Sequence, residues 1–288
     1  MGKLLKRVYL FAKIVKLIAY FFIYQCIFIA AGQFAAYLFY RFTVDAVPYS
    51  LFAQLPNEIA RAYINNGVAI GMLVSSLAMI VHLFLFNYVR ISKDFLYEVR
   101  RDILVLSTLF IASVMLVFNV IAAWLGLENN MESTIEQIMG SSAGIVSVAL
   151  LAPILEELLF RGAIQGAMMR FFKNPWVGII VAALLFGIIH GNPIQIFYAS
   201  CLGIAFGWVY YRTGSLLPAI VGHIVNNSLA VISFMLFGSS GESEVVADSS
   251  GDITMVIVGT LFAAVFALVI NKRQPKVPSP WHEVRENL

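Results

Sequence analysis

The sequence predicts an all-α, polytopic membrane helix bundle of about eight transmembrane helices, with the N- and C-termini in the cytoplasm. Three observations support this fold class: the composition, the apolar runs and the placement of the basic residues. Of the 288 residues, 60% are hydrophobic and 12% are charged, and the mean hydropathy is +0.86. Soluble domains carry about 25% charged residues, so this composition excludes a disordered chain and argues against a soluble domain. The two cysteines lie inside apolar runs, which excludes a disulfide-stapled secreted scaffold.

Eight apolar segments meet or approach the roughly 20 residues that a helix needs to cross a bilayer. The first is longer than the core of a signal peptide, which has about 7–15 residues, so it is predicted to be a retained span. The fifth and sixth are short and are separated by a tight break at Gly191-Asn192-Pro193. The predicted spans are about 17–39, 67–89, 103–125, 143–169, 176–190, 194–211, 216–237 and 253–270.

Lys and Arg predict the orientation, because they concentrate in cytoplasmic loops. With the N-terminus inside, Arg41 and Arg61 are the only basic residues on the outer side. The outer connections 126–142 and 238–252 contain acidic residues but no Lys or Arg. An even number of spans returns the C-terminus to the cytoplasm. We therefore expect a multi-pass protein of the plasma membrane. No basic run is long enough for a nucleic-acid surface.

The remaining segments have weaker signals. Residues 3–16 are predicted to continue the first helix into the cytoplasm or to lie along the membrane surface. The segment 44–66, with Pro48 and Pro56, is predicted to be interfacial or partly re-entrant. Without an internal repeat, residues 1–288 are interpreted as a single membrane domain with a cytoplasmic tail at 271–288.

Ionisable residues inside the spans are functional candidates, because burying one in a bilayer costs several kcal/mol. The fourth span carries Glu156, Glu157 and Arg161. The spacing of Glu157 and Arg161 is i,i+4, which predicts a structural ion pair. Glu156 points about 100° away on the helix, so it needs another partner or a proton, which favours a functional role. His82 has no acid in its span and is expected to be structural or interfacial.

Polar groups on three helices are predicted to lie at a similar depth. At about 1.5 Å per residue from the cytoplasmic helix ends, Glu156, His190 and Asn227 lie about 20–22 Å deep. His223 lies one turn nearer the cytoplasm, at about 14 Å. The count assumes straight helices, although Pro153 can kink the first of them. Agreement in depth predicts a shared site, with residues 143–237 as its core.

The histidines and the amide each have a second interpretation. His190 and His223 could separately be interhelical hydrogen-bonding residues, but together with a carboxylate they favour one site. Asn227 lies on the same helix face as His223 and is either a hydrogen-bond donor beside it or a packing residue. Asn226 is expected to point elsewhere, and Phe186 to pack rather than react.

Two chemistries fit this set of residues. In the first, Glu156 is the general base on a water, assisted by His190, while His223 and Asn227 donate hydrogen bonds to the oxyanion. In the second, His190, His223 and Glu156 hold a zinc ion that activates the water. The zinc-protease spacing His-Glu-x-x-His is absent, which is weak evidence because ligands can come from separate helices. Both routes predict amide hydrolysis inside a membrane.

Three motifs of the chain resemble, in order, those of the CAAX prenyl protease-like (CPBP) family of membrane proteins. That family includes type II CAAX endopeptidases and bacteriocin-processing and immunity proteins. The resemblance covers about residues 143–237, and no signature position departs from it. The motifs are Glu156-Glu157-x-x-x-Arg161, Phe186-x-x-x-His190 and His223-x-x-x-Asn227.

The resemblance implies an eight-span intramembrane endopeptidase whose cavity opens toward the cytoplasm and the lipid. It implies that Glu156 and His190 activate the water and that His223 and Asn227 form the oxyanion hole. It also implies that Glu157 and Arg161 support the site, and it favours a metal-independent mechanism without a cofactor over zinc.

Family members cut isoprenylated proteins or act in peptide maturation and immunity, so the implied partners are the lipid bilayer and a peptide or lipidated protein substrate.

Two further function classes remain open. A non-catalytic immunity or peptide-binding protein could use the same pocket. A transporter or channel would also carry Glu, His and Arg at the membrane midplane, but the inverted repeats typical of transporters are not found.

Overall fold

The structure is a computed structural model that describes residues 2–54, 58–90, 99–238 and 249–274. These residues form helices and their connections, with no strand among them, which confirms the predicted all-α class. Pro56 and the tail beyond Gln274 lie outside the described residues. In chain order the helices are α1 (Gly2–Thr43), α2 (Tyr49–Phe52), α3 (Glu58–Leu85), α4 (Arg101–Trp124), α5 (Glu132–Met139), α6 (Ser142–Phe172), α7 (Pro175–Ile188), α8 (Pro193–Thr213), α9 (Leu217–Phe237) and α10 (Ser249–Arg273).

Seven of these helices in the described part of the chain are long and apolar enough to span a membrane. The shorter apolar helix α7, which corresponds to the fifth predicted span, has 14 residues and is about 21 Å long. A bilayer's hydrocarbon core is about 30 Å thick, so α7 does not cross it alone. The sixth predicted span, 194–211, corresponds to α8, which has 21 residues and is therefore longer than predicted.

The ends of α7 and α8 follow from local sequence signals. Lys173 ends α6 in the left-handed conformation, with a φ of 55°. Asn174 then caps α7, since its side-chain oxygen accepts hydrogen bonds from the Trp176 and Val177 N–H groups at 2.9 and 3.4 Å. Gly191 has a φ of +66°, which a glycine adopts without strain, and this residue produces the predicted break between the two helices.

The first two long helices differ from their predicted bounds. Residues 3–16 continue the helix of the first span without a break, one of the two predicted arrangements. Helix α3 begins at Glu58 rather than near residue 67, because hydropathy marks the apolar part of a helix and not its polar first turns. Within the segment 44–66, Phe52 of α2 is buried against α1 and the start of α3.

Helices α1 and α3 pack with their backbones in close approach. A Cβ built at Gly67 would lie 2.7 Å from the Gly32 carbonyl oxygen, and one built at Gly71 would lie 2.5 Å from the Phe28 carbonyl oxygen. Gly67 and Gly71 are four residues apart, the small-xxx-small spacing that lets membrane helices touch. Three glycines therefore determine how closely these two helices approach.

Helix α6 lies at the centre of the largest core cluster, where it packs on α7, α8 and α9. Its buried apolar residues include Leu155, Leu158, Leu159 and Phe160. Arg161 is also among the largest fully buried side chains of the described chain. The part of the helix that carries the polar motif, between residues 153 and 169, is thus largely enclosed by protein.

Candidate active site

Helix α6 is distorted on both sides of its two glutamates. Residues Ser147–Leu151 and Leu158–Gln165 form π turns, and the α-helical stretch Ala152–Glu157 lies between them. The Ala152 N–H donates to the Ser147 carbonyl, five residues back. Pro153 has no N–H to offer the next carbonyl, Val148. Such π segments occur frequently at functional sites.

Glu157 forms the predicted ion pair with Arg161 and also contacts His223. Arg161 Nη1 lies 2.8 Å from Glu157 Oε1, and His223 Nδ1 lies 2.9 Å from the same oxygen. All three side chains are buried, and the Glu157 side chain is 0% exposed. The Glu157 oxygen that pairs with Arg161 is an acceptor, so the geometry assigns the hydrogen of this contact to Nδ1 of His223. The other ring nitrogen then faces Glu156.

Aromatic rings enclose the Arg161 guanidinium. Its carbon lies 4.5 Å from the centroid of Phe186 and 5.1 Å from that of Phe206, within the range of cation–π attraction. Nη2 donates to the Gly203 carbonyl of α8 at 3.2 Å. The cation is therefore stabilised by one carboxylate, one carbonyl and two ring faces, which accounts for its complete burial.

Glu156 has a partner other than Arg161, as its position on the helix predicts. Its Oε2 lies 3.6 Å from His223 Nε2, and its side chain is 15% exposed. His223 therefore bridges the two carboxylates, one through each ring nitrogen. This contact brings Glu156 and His223 together, whereas the straight-helix count separates them by one turn. The count fails because a π turn holds more residues than an α turn.

His190 lies two residues beyond Ile188, the last residue of α7, and is partly exposed. Its Nδ1 lies 2.8 Å from the Phe186 carbonyl oxygen, which can only accept, so Nδ1 donates and a neutral ring leaves Nε2 as an acceptor. The Phe186 ring centroid lies 5.1 Å from that of His190 and 5.8 Å from that of His223. Phe186 is 2% exposed and packs against both imidazoles, which agrees with the expectation that it is a packing residue.

Asn227 faces α6, the same helix that His223 contacts. Its Nδ2 donates at 2.9 Å to the carbonyl of Val148, which lies in the first π turn and receives no hydrogen bond from Pro153. Its Oδ1 accepts from Asn226 Nδ2 at 2.9 Å. The expectation that Asn226 points elsewhere is wrong, because this buried residue joins Asn227 to Tyr198, whose hydroxyl donates to Asn226 Oδ1 at 2.8 Å. Adjacent helix positions diverge by about 100°, but two asparagine side chains are long enough to meet.

Burial divides the predicted site residues into two groups. Glu157, Arg161 and His223 are buried, whereas Glu156, His190 and Asn227 are partly exposed. The second group thus has some accessible surface. The buried Glu157 contacts His223, and Arg161 in turn contacts Glu157.

A further set of contacts has a spacing that could have been noticed in the sequence. The Gln165 amide donates to the Gly207 carbonyl at 2.9 Å, in parallel with the Arg161 contact to Gly203. Arg161 and Gln165 are four residues apart on α6, and their partners Gly203 and Gly207 are four residues apart on α8. A Cβ at Gly207 would lie 2.6 Å from the Gln165 amide oxygen, so α6 and α8 approach each other closely here.

His82 lies away from this site. It is buried, its Nδ1 is 3.1 Å from the Tyr24 hydroxyl, and its ring packs against those of Tyr20, Phe86 and Tyr88. This aromatic environment agrees with the structural role expected for it. Within the described ranges, no group of three or more His, Cys, Asp or Glu side chains is arranged to hold one metal ion.

Comparisons with known proteins place the three motifs in one family region. Residues 139–229 match the family model described as "Type II CAAX prenyl endopeptidase Rce1-like". The chain is 28% identical over 103 residues to "Putative membrane peptidase YdiL" of Bacillus subtilis (strain 168), covering 36% of this chain and 42% of that protein. It is 32% identical over 106 residues to "UPF0177 protein YaiH" of Lactococcus lactis subsp. lactis (strain IL1403), covering 36% of this chain and 43% of that protein.

A third relative, "Uncharacterized protein YyaK" of Bacillus subtilis (strain 168), is 35% identical over 94 residues, covering 29% of this chain and 31% of that protein. The chain thus spans less than half the length of each of these relatives. No solved structure matches it. The resemblance that the three motifs predict is confirmed over residues 139–229 of this multi-pass membrane protein, which match the Rce1-like model of type II CAAX prenyl endopeptidases.

Proposed function

We propose that this protein is an intramembrane endopeptidase of the plasma membrane that hydrolyses a peptide bond in a membrane-associated protein or peptide, prenylated proteins included. One observation carries the proposal: a partly exposed carboxylate, Glu156, lies 3.6 Å from His223, whose other nitrogen is held by the buried Glu157. A carboxylate ordinarily avoids this depth in a bilayer, and here two of them flank one imidazole.

In the proposed reaction, Glu156 takes a proton from a water while the water oxygen bonds to the carbonyl carbon of the substrate. Nε2 of His190 accepts the second water hydrogen and orients the water, since its Nδ1 is committed to Phe186. The resulting oxyanion receives hydrogen bonds from His223 Nε2–H and from the Asn227 amide. The proton on Glu156 then passes to the leaving nitrogen, the C–N bond breaks, and an acid and an amine are released.

His223 and Glu157 have supporting roles in this mechanism. The imidazole donates from Nδ1 to Glu157 and, when charged, also donates from Nε2 toward the oxyanion. Glu157 balances that charge, and Arg161 holds Glu157 in place at 2.8 Å. This division agrees with the burial of Glu157 and Arg161 and with the exposure of Glu156.

The substitution Glu156→Gln tests the assigned base, because it removes the carboxylate and keeps the side-chain shape. We expect turnover to fall by about 10² to 10⁴, the usual contribution of a general base, while the protein still folds and inserts. Comparative membrane proteomics of cells carrying the wild-type protein or this variant would reveal a substrate that accumulates uncut. The matched control is Glu132→Gln, an exposed glutamate of α5. Wild-type turnover in the Glu156→Gln protein would show that the base is wrongly assigned.

Two other outcomes would replace this proposal. Stoichiometric zinc in the purified protein, removed together with activity, would favour a mechanism in which Glu156, His190 and His223 hold the metal. A protective or binding function that survives both Glu156→Ala and His190→Ala would favour a non-catalytic immunity or peptide-binding protein.

A further inference from the structure

We propose that Tyr198 and Asn226 are positioning residues that hold the Asn227 amide in the one orientation that donates to the substrate oxyanion. The catalytic part of this inference rests on the proposed function. The orientation itself rests on a chain of three hydrogen bonds that crosses from α8 through α9 to α6.

Each bond in this chain has a fixed direction. The Tyr198 hydroxyl contacts Asn226 Oδ1, which can only accept, so the amide nitrogen of Asn226 points toward Asn227. That nitrogen meets Asn227 Oδ1 at 2.9 Å. Rotating either amide by 180° would place oxygen against oxygen or N–H against N–H. The Val148 carbonyl can only accept, so it determines the direction of the series of hydrogen bonds, and Asn226 and Tyr198 stabilise that direction by each donating to the amide oxygen presented to it.

The series of hydrogen bonds ends at the Val148 carbonyl, which is available because a backbone N–H is missing in α6. In a regular helix the Val148 carbonyl would accept from Ala152, but that N–H donates to Ser147 because of the π turn. The next donor in a π turn would be residue 153, which is proline. The carbonyl is free to accept from Asn227 Nδ2, and the bond is 2.9 Å long. Pro153 thus creates the acceptor that the asparagine uses.

This arrangement leaves one hydrogen of the amide for the substrate. An asparagine amide has two N–H donors, and Val148 engages one of them. Asn227 is partly exposed, whereas Asn226 is buried, so the orienting contact is shielded from competing water. In the reversed orientation, an amide oxygen would face the oxyanion and repel it.

The test compares two tyrosines that lose the same group. Tyr198→Phe removes the hydroxyl of the chain, and Tyr24→Phe removes a partly buried hydroxyl that bonds His82 on another helix pair. The probe is a synthetic peptide that spans the bond left uncut in cells carrying Glu156→Gln. We expect Tyr198→Phe to lower kcat about tenfold and to change KM less than about twofold, because only transition-state donation is weakened. Tyr24→Phe should leave both values unchanged.

A second measurement does not depend on catalysis. In a double-mutant cycle on equilibrium unfolding in mixed micelles, Tyr198→Phe and Asn227→Ala should cost less together than the sum of their separate costs. Additive costs, or equal kcat values for Tyr198→Phe and Tyr24→Phe, would overturn the inference. If no peptide accumulates in Glu156→Gln cells, the proposed function fails, while the cycle still decides whether the three bonds form one unit.

Discussion

Glu157 has one contact that can be predicted from the sequence and one that cannot. Its spacing from Arg161 predicts the ion pair, and the 2.8 Å contact confirms it. The contact with His223 joins residues 66 positions apart, so no periodicity along the chain predicts it. For the same reason the Tyr198 to Asn226 bond, between helices α8 and α9, is absent from the predicted site.

Removing one side of the buried ion pair should destabilise the protein strongly. Glu157→Leu leaves the Arg161 guanidinium enclosed without its counter-charge, and we expect a loss of about 3–5 kcal/mol in the free energy of unfolding. Equilibrium unfolding in mixed micelles measures this loss. The double variant Glu157→Leu/Arg161→Met removes both charges and should be less damaging than the single one.

A surface ion pair supplies the control for this prediction. The Asp102 carboxylate lies 3.0 Å from Arg100 Nη2 and 3.2 Å from Arg273 Nη1, and both arginine side chains are exposed. Asp102→Asn should change the unfolding free energy far less than Glu157→Leu, because solvent screens exposed pairs. Equal losses in the two variants would contradict the importance of burial at Glu157.

At the scale of whole helices, hydropathy predicts where the spans lie but not the distortions of the helical backbone within them. The fourth predicted span, 143–169, is close to α6 at Ser142–Phe172. The π turns on both sides of Ala152–Glu157 are not visible in hydropathy, because they depend on which backbone donors are available. Pro153 predicts a distortion of this helix but not its form.

The close contact of α1 and α3 should not tolerate even one added methyl group. Gly71→Ala places a Cβ 2.5 Å from the Phe28 carbonyl oxygen, so the helices must separate. We expect this substitution to lower the free energy of unfolding by about 1–3 kcal/mol, the usual cost of overpacking. Gly166→Ala is the control, because a Cβ there meets only the Arg170 side chain, at 3.5 Å. Similar stabilities for the two variants would show that α1 and α3 do not require close packing.

At the scale of the molecule, the composition predicts the fold class but not which helices pack against each other. An apolar fraction of 60% identifies a membrane protein, and the apolar runs predict eight helices, one of which, α7, is too short to cross alone. The packing of α6 among α7, α8 and α9 requires interhelical contacts that composition does not specify. The depth count predicts from the sequence that the helices carrying Glu156, His190 and Asn227 share a site, and this stays a prediction.

The orientation predicted by Lys and Arg can be tested with single cysteines. In a protein carrying Cys26→Ser and Cys201→Ser, we expect Lys272→Cys to react with a membrane-impermeant thiol reagent from the cytoplasmic side only. Glu132→Cys should react from the opposite side only. Both native residues are exposed, so access to the reagent is not limited by burial. The reverse pattern would invert the topology and would open the site to the other compartment.

The π turns of α6 have a consequence for changes in chain length. An α turn bonds residues four apart and a π turn bonds residues five apart, so each π turn contains one residue that a regular helix would not need. Deleting Ser147 would let the Ala152 N–H donate to the Val148 carbonyl, as in an ordinary helix, and would keep the register of the residues on either side. In such a chain the Val148 carbonyl would be bonded within its own helix, and Asn227 would lose its acceptor. The orientation of the proposed oxyanion donor thus depends on one extra residue in a neighbouring helix.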